Sequence, residues 1–145
     1  MKSRFVPLVF AVTLISFAAG SAAGSENWPQ MRGPHGTGTT EAHDLPVEFG
    51  QDKNMLWRVE MAGHSAATPA VWGDYVFTVT PDGEDVLLVA LDLDGKERWR
   101  RELGTFNNPY GMANSPMLGG STLILQVDQD LDSYLLAVNA KDGAI

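Results

Sequence analysis

Three aspartates in the run DQDLD have a spacing that resembles the spacing of calcium ligands in a calcium-binding loop. Asp128, Asp130 and Asp132 alternate with other residues between two predicted strands, as in the first half of a calcium loop. Ser133, however, stands where such loops need glycine, and Asn139 holds the twelfth position, where a bidentate glutamate is needed. The sequence therefore favours a solvated hairpin and predicts no metal site here.

The three histidines are the other side chains that could serve a metal or a reaction. His35, His43 and His64 lie in loop-like segments, and no two of them stand at the spacing of zinc ligands. No combination of serine, histidine and acid stands out, and the absence of cysteine from the sequence excludes disulfides and thiolate ligands. We interpret the histidines as surface or hydrogen-bonded residues, and the catalytic residues, if any, stay unknown.

Residues 1–23 are predicted to be a secretory signal peptide. Lys2 and Arg4 form a basic start, residues 5–19 are apolar, and SAAG at 21–24 offers small residues for cleavage. The apolar run is shorter than the roughly 20 residues that cross a bilayer, so no transmembrane segment is predicted after cleavage. We expect a periplasmic or secreted protein.

The charge balance also limits the partners. Without Lys2 and Arg4 the chain holds eight basic and 18 acidic residues, hence a net charge of −10. Phosphate binding needs clustered lysine and arginine, so we expect no nucleic-acid partner.

The rest of the chain predicts an arm followed by short strands, which is an all-β fold. Residues 24–54 are rich in glycine, proline and polar residues without a lasting period, which is typical of an ordered arm or loop. Strand character then follows in five segments, at 55–61, 65–71, 74–80, 85–93 and 96–103. The run VLLVAL is apolar throughout, which predicts a strand covered on both faces.

The same order of segments recurs at a spacing of 47 residues, at 114–118, 121–127 and 133–139. The matching pairs are Pro69 and Pro116, Gly73 and Gly120, and Ala90 and Ala137. At the last turn Gly95 corresponds to Gly143, so we predict a two-residue Asp-Gly loop in the first copy and one residue more in the second. Repeats of roughly 40 to 50 residues built from four short strands are typical of β-propeller blades.

The segment ALDLDGKERW resembles the tryptophan-docking motif of pyrroloquinoline quinone (PQQ) repeats, which runs Ala, any, Asp, three any, Gly, Lys, two any, Trp. The first copy matches it, with one residue missing from the turn, at Ala90, Asp92, Gly95, Lys96 and Trp99. The second copy matches, with asparagine for aspartate and Ala144 for lysine, at Ala137, Asn139 and Gly143. Its tryptophan is expected at position 147, so we expect an N-terminal fragment of a longer protein.

The stretches WPQMRGPHGTG and GHSAATPAVWGDYVF resemble the opening of exported bacterial PQQ-like propeller proteins, which are similar to the outer-membrane assembly propeller. The resemblance implies four-stranded antiparallel blades, about two of a seven- or eight-bladed ring. The implied partial propeller at 55–145 consists of an orphan strand at 55–61, a blade at 65–103 and an incomplete blade at 112–145. In a ring closed by the chain ends, the orphan strand would complete the final blade.

The docking motif implies that Trp99 lies across the neighbouring blade, while the turn at Asp92 and Gly95 fixes its approach. Burying a tryptophan is worth roughly 4 to 6 kcal/mol as an upper estimate. The alternative is that Trp99 is only a core residue of its own blade.

The resemblance leaves two functions open. The first is a non-catalytic binding or assembly scaffold, without a cofactor, that holds a protein, peptide or glycan on the propeller face; His64, before a channel-lining strand, would lie near the mouth of the channel. The second is a PQQ-dependent oxidoreductase, which would need PQQ and usually calcium at the propeller axis. The vicinal cysteines and haem motif of such enzymes are absent from these 145 residues.

Overall fold

Seven antiparallel strands in two sheets make up the regular structure of the chain. The computed structural model describes residues 27–43, 45–108 and 111–145, so the predicted signal peptide at 1–23 lies outside the described residues. The strands are β1 (Ala70–Trp72), β2 (Tyr75–Asp82), β3 (Asp85–Asp92), β4 (Glu97–Thr105), β5 (Met117–Gly119), β6 (Thr122–Val127) and β7 (Tyr134–Asn139). The described residues contain no helix, and the prediction of an all-β fold is confirmed.

Each sheet is a meander in which successive strands pair. The first unit has the strand order β1-β2-β3-β4, and the second unit has the order β5-β6-β7. Two matching sheets fit the predicted repeat, and no closed ring is formed by the described residues.

The core lies between the two sheets and follows from the alternation of their side chains. Phe77 and Val79 on β2 and Leu88 on β3 are almost fully buried, and they share one cluster with Leu123 and Leu125 of β6. In β3 all residues from Val86 to Leu91 are buried, so the predicted strand covered on both faces is confirmed. A second, smaller cluster holds the opposite face of β3, with its buried members at Leu87, Val89 and Leu91.

Residues 55–61 cover that opposite face, but they do so without joining a sheet. Trp57, Val59 and Met61, at every second position of the segment, pack against the β3 cluster. No described residue pairs with the segment in a ladder, and the orphan strand at 55–61, expected to complete a further blade, stays a prediction. The segment lies on side chains of the sheet and not along one of its edges.

The first strands of both units are shorter than predicted. β1 begins at Ala70 and not near residue 65, since Pro69 lacks an N–H to donate and the Thr68 N–H bonds to the Ser115 hydroxyl at 2.8 Å. β5 begins at Met117 for the same reason, after Pro116.

The turn after β3 differs from the predicted two-residue loop. Gly95 N donates to Asp92 O at 3.0 Å and Asp92 N donates to Lys96 O at 2.8 Å, so three residues form the loop. Gly95 takes the last of these positions with a φ of 77°, as in the common three-residue hairpin that ends in a left-handed glycine. In the second unit Asn139 N donates to Ala144 O at 2.7 Å, so that loop is longer by one residue, as predicted.

The arm before residue 55 joins the two units at their first strands. Trp28 pairs with Val71 of β1 in an antiparallel bridge, and Pro29 O accepts a hydrogen bond from Leu118 N of β5 at 2.8 Å. The arm is therefore anchored on the core.

Within the described part of the chain, no helix has the length and apolar character needed to span a membrane.

Candidate functional site: tryptophan–turn contacts and a cleft beside His64

The docking motif brings β4 of the first unit against the last turn of the second unit. Trp99 Nε1 donates to Ala140 O at 3.1 Å, and the indole stacks over Gly143, where an added Cβ would lie 2.9 Å from the ring. The same indole contacts Phe77 of its own sheet, with ring centroids 5.9 Å apart. Trp99 thus touches both units.

Further side chains on β4 and β7 extend this contact. Arg101 donates from Nη1 to Gly143 O at 3.0 Å, and Tyr134 donates from its hydroxyl to Leu103 O at 3.1 Å. Burial raises the pKa of the Tyr134 phenol, with a smaller opposing effect of the Arg101 charge. Sequence reasoning missed Arg101 and Tyr134, although the period of two from Trp99 would have placed residues 101 and 103 on the same side of β4.

A second tryptophan makes the same contact one unit earlier. Trp57 Nε1 donates to Leu93 O at 2.6 Å, and a Cβ added at Gly95 would lie 2.8 Å from the indole. Leu93 is the repeat equivalent of Ala140, and Gly95 is that of Gly143. The turn of each unit therefore receives one tryptophan.

The turn itself is held by the acidic or amide residue of the motif. Asp92 Oδ1 accepts hydrogen bonds from the N–H groups of Lys96 and Asp94, at 2.9 and 3.0 Å. These bonds, that of Lys96 foremost, lower the pKa of the Asp92 carboxyl below its usual value of 3.8. Asn139 plays the same part in the second unit, where its Oδ1 accepts from Lys141 N at 2.8 Å.

The remaining motif residues are Lys96, Ala90 and Ala137. Lys96 serves the turn through its backbone, which explains why the second unit has alanine at this position. Ala90 is fully buried and lies opposite Trp99 in the ladder, whereas Ala137 is exposed.

At the opposite end of the strands, a cleft of about 470 Å³ lies beside His64. It is also lined by Glu84 in the turn between β2 and β3, by Asp85 at the start of β3 and by Thr105 at the end of β4. His64, Glu84 and Asp85 are exposed, and Asp85 Oδ1 accepts a hydrogen bond from the Thr105 hydroxyl at 3.2 Å. The cleft is an open, acidic surface.

The chemistry-bearing residues singled out first do not gather into one site. Asp128, Asp130 and Asp132 lie on the loop before β7, where Ser133 bonds to Gln129 O at 2.7 Å and so closes a local turn. Among the described residues, no group of three or more His, Asp or Glu side chains is arranged to hold a metal ion.

Similarity to known proteins is partial. Over 78 residues the chain is 40% identical to the outer membrane protein assembly factor BamB of Moranella endobia (strain PCIT). The match covers 53% of this chain and 17% of the length of that protein. No protein-family model and no solved structure matches the chain.

Proposed function

We propose that this chain is part of an exported PQQ-like β-propeller that acts as a non-catalytic scaffold for protein partners. The observation that carries the proposal is the repeated tryptophan contact, Trp57 on the turn at Gly95 and Trp99 on the turn at Gly143. A joint that recurs from unit to unit is what a ring of similar blades requires. The motif residues Ala90, Asp92, Gly95, Lys96 and Trp99 are, in this proposal, structural and not catalytic.

Contacts between equivalent residues support a rotational arrangement of the units. The Ser65 hydroxyl donates to Met112 O at 3.4 Å, and Thr68 N donates to the Ser115 hydroxyl at 2.8 Å. In both pairs the partners are one repeat apart. Two copies related by a rotation touch at equivalent points only near the rotation axis, so these loops mark the axis of the proposed ring. His64 precedes one of them and lies near the mouth of the proposed channel.

The scaffold role rests on the similarity to an outer membrane protein assembly factor and on the cleft beside His64. The proposed partner is a protein of the outer-membrane assembly process that contacts the acidic cleft through Glu84 and Asp85. The proposed location is the periplasm, after cleavage of residues 1–23.

Two measurements test the proposal in the source bacterium. The first is mass spectrometry of the mature protein, for which we expect an N-terminus near Ala23; an intact Met1 in the cytoplasm would contradict export. The second is the amount of folded outer-membrane protein after deletion of the gene, which we expect to fall and to be restored by the wild-type gene.

The cleft is tested by charge reversal. We expect the double change Glu84→Lys and Asp85→Lys to fail in restoring outer-membrane protein levels. Asp74→Lys serves as the matched control, because Asp74 lies in the exposed turn at the other end of the sheet. Equal complementation by both variants would show that the cleft is not the contact surface. A separate assay tests the alternative function: dye reduction by the purified protein that depends on PQQ and calcium would replace the scaffold role with that of an oxidoreductase.

A further inference from the structure

The arm before residue 55 bonds to the two units at equivalent backbone positions. Trp28 exchanges two hydrogen bonds, both of 2.8 Å, with Val71 of β1. Pro29 O, next along the arm, accepts a bond of 2.8 Å from Leu118 N of β5. Val71 and Leu118 lie 47 residues apart, so they hold the same place in the two repeats. Two neighbouring residues of the arm therefore bridge equivalent positions of successive units.

The edges that the arm bonds to are the inner edges of the two sheets. β1 pairs with β2 on one side only, and β5 pairs likewise with β6, so the arm lies on the free side of each first strand. Of the described strands, only β1 and β5 approach each other across the units with Cα atoms within 8 Å. The two sheets thus fan out from their first strands, and the arm lies on the inner side of the fan.

Further contacts show the direction in which the arm passes these edges. The Asn27 side chain accepts a hydrogen bond at 2.8 Å from the N–H of Gly73, in the turn that follows β1. Met31 borders the same cavity as Ser115, which precedes β5. Residues 27–31 therefore run antiparallel to β1, from the level at which the first strands end to the level at which they begin.

A compact turn holds Trp28 in this position. Gly33 is buried and has a φ of 76°, and an added Cβ would lie 2.8 Å from the indole of Trp28. Gln30 closes the turn, because its C=O accepts from Gly33 N at 2.9 Å and its side-chain amide donates to Gly33 O at 3.2 Å. Glycine suits this place, since the positive φ and the nearby indole both disfavour a larger residue. The arm is thus a fixed element of the fold.

We propose that residues 27–31 thread through the central channel of the ring and close it to ligands. This rests on the proposed ring of repeats, whose axis passes beside the first strand of each unit. Further units of such a ring lie around the axis and leave the inner edges of β1 and β5 in place. The arm therefore occupies the axis, and partners contact the ring at its ends and outer surface, as at the cleft beside His64.

Amide hydrogen exchange of the full-length protein tests the position of the arm. In Gly33→Ala the added methyl group meets the Trp28 indole, so the arm should leave the inner edges. We expect the N–H groups of Val71 and Leu118 to exchange roughly tenfold faster than in the wild type, because both lose their acceptor. The matched control is Gly36→Ala, since Gly36 also has a positive φ, of 66°, but an added Cβ meets nothing within 4 Å.

Two exchange results overturn the proposal. One is unchanged exchange at Val71 and Leu118 in Gly33→Ala, and the other is an equal increase in Gly36→Ala. A second measurement, photo-crosslinking from the arm, keeps the wild-type glycine and so applies even when Gly33→Ala does not fold.

A benzophenone amino acid at position 31 reports what surrounds the arm in the full-length protein. We expect adducts on the first strands of repeat units on all sides of the axis, identified by mass spectrometry. The control position is Leu131, which is 65% exposed against 61% for Met31 but lies on the loop between β6 and β7. Adducts from position 31 that are confined to the first two units, or as many first-strand adducts from position 131, contradict the threading.

A low-resolution density map of the full-length protein separates this proposal from the proposed function. A ring in the map, together with a failed exchange or cross-linking test, would refute the threaded arm and leave the scaffold role intact. A map without a ring would refute both.

Discussion

The two units have the same strand pattern, yet they bury different faces. In the first unit, one face of β3 packs on the second unit and the other is covered by residues 57–61. In the second unit, the face toward the first unit is buried, and the opposite face is exposed although its equivalent in the first unit packs on the second, as Leu88 and Leu135 illustrate. Equivalent residues of the two units therefore differ in burial because their neighbours differ, and not because the repeat sequence differs. Each unit needs a neighbour on both sides, as expected for stacked repeats.

The largest effect is expected at Leu88, where the burial of the two units differs strongly. Leu88→Ala should lower the free energy of unfolding by about 3 to 5 kcal/mol, because it leaves a cavity between the sheets. Leu135→Ala, at the equivalent position, should cost less than about 1 kcal/mol in dilute protein, where its side chain is in water. Denaturant unfolding of both variants measures the pair, and equal losses would show that Leu135 is covered in the monomer.

Removal of the Trp99 indole, which contacts both units, should have the next largest effect. We expect Trp99→Ala to cost about 3 kcal/mol, near the lower end for a large aromatic, because the indole is only half-buried. The loss combines the contacts with Phe77 and Gly143 and the hydrogen bond to Ala140 O. Chemical denaturation gives the value, and a loss below about 1 kcal/mol would mean that Trp99 does not join the units.

Alanine substitutions at two glycines test the same contact between Trp99 and the turn at Gly143. Gly143 and Gly120 both have positive φ, at 71° and 63°, so alanine is strained by about 1 to 2 kcal/mol at either position. At Gly120 an added Cβ meets nothing within 4 Å, whereas at Gly143 it meets Trp99 at 2.9 Å. Gly143→Ala should therefore be the more destabilising by about 1 to 2 kcal/mol, the usual cost of overpacking. Thermal or denaturant unfolding checks the difference, and identical losses would argue against the stacking.

The smallest expected effect concerns the turn and its pH dependence. Asp92→Asn introduces the residue type of the second unit, and the amide oxygen can still accept a hydrogen bond from the turn. The folded-state pKa of Asp92 is lowered, so its charged form stabilises the fold above the unfolded value near 3.8 and the effect is lost as the pH falls through the folded value. The wild type should exceed the variant in stability at pH 7, and the difference should vanish in acid. Stability curves at several pH values test this, and a difference independent of pH would assign the effect to geometry alone.

The strands that could be predicted are those whose side chains carry a clear pattern. β2 alternates and β3 is apolar throughout, so both were placed to within two residues. The first strands were predicted too long because the prolines at 69 and 116 limit the ladder. The exact loop after β3 also escaped prediction, since the Asp-Gly pair occurs in loops of two and three residues alike.

The contact surfaces could be predicted only in part. The docking motif indicated that Trp99 reaches across units, but its acceptor at Ala140 and the support from Tyr134 depend on the relative position of the two sheets. No local pattern in the sequence encodes that position. The arm shows the same limit, because Trp28 and Pro29 lie in a stretch without a period and yet bond to β1 and β5.

A double-mutant cycle between Trp99→Ala and Gly143→Ala tests the central claim, that the indole of the first unit rests on the turn of the second. Without the indole, the added methyl group at position 143 meets no ring, so Gly143→Ala should then cost only its backbone strain, as Gly120→Ala does. The account predicts a coupling energy of about 1 to 2 kcal/mol between the two substitutions. Additive losses, with a coupling within about 0.3 kcal/mol of zero, would contradict it.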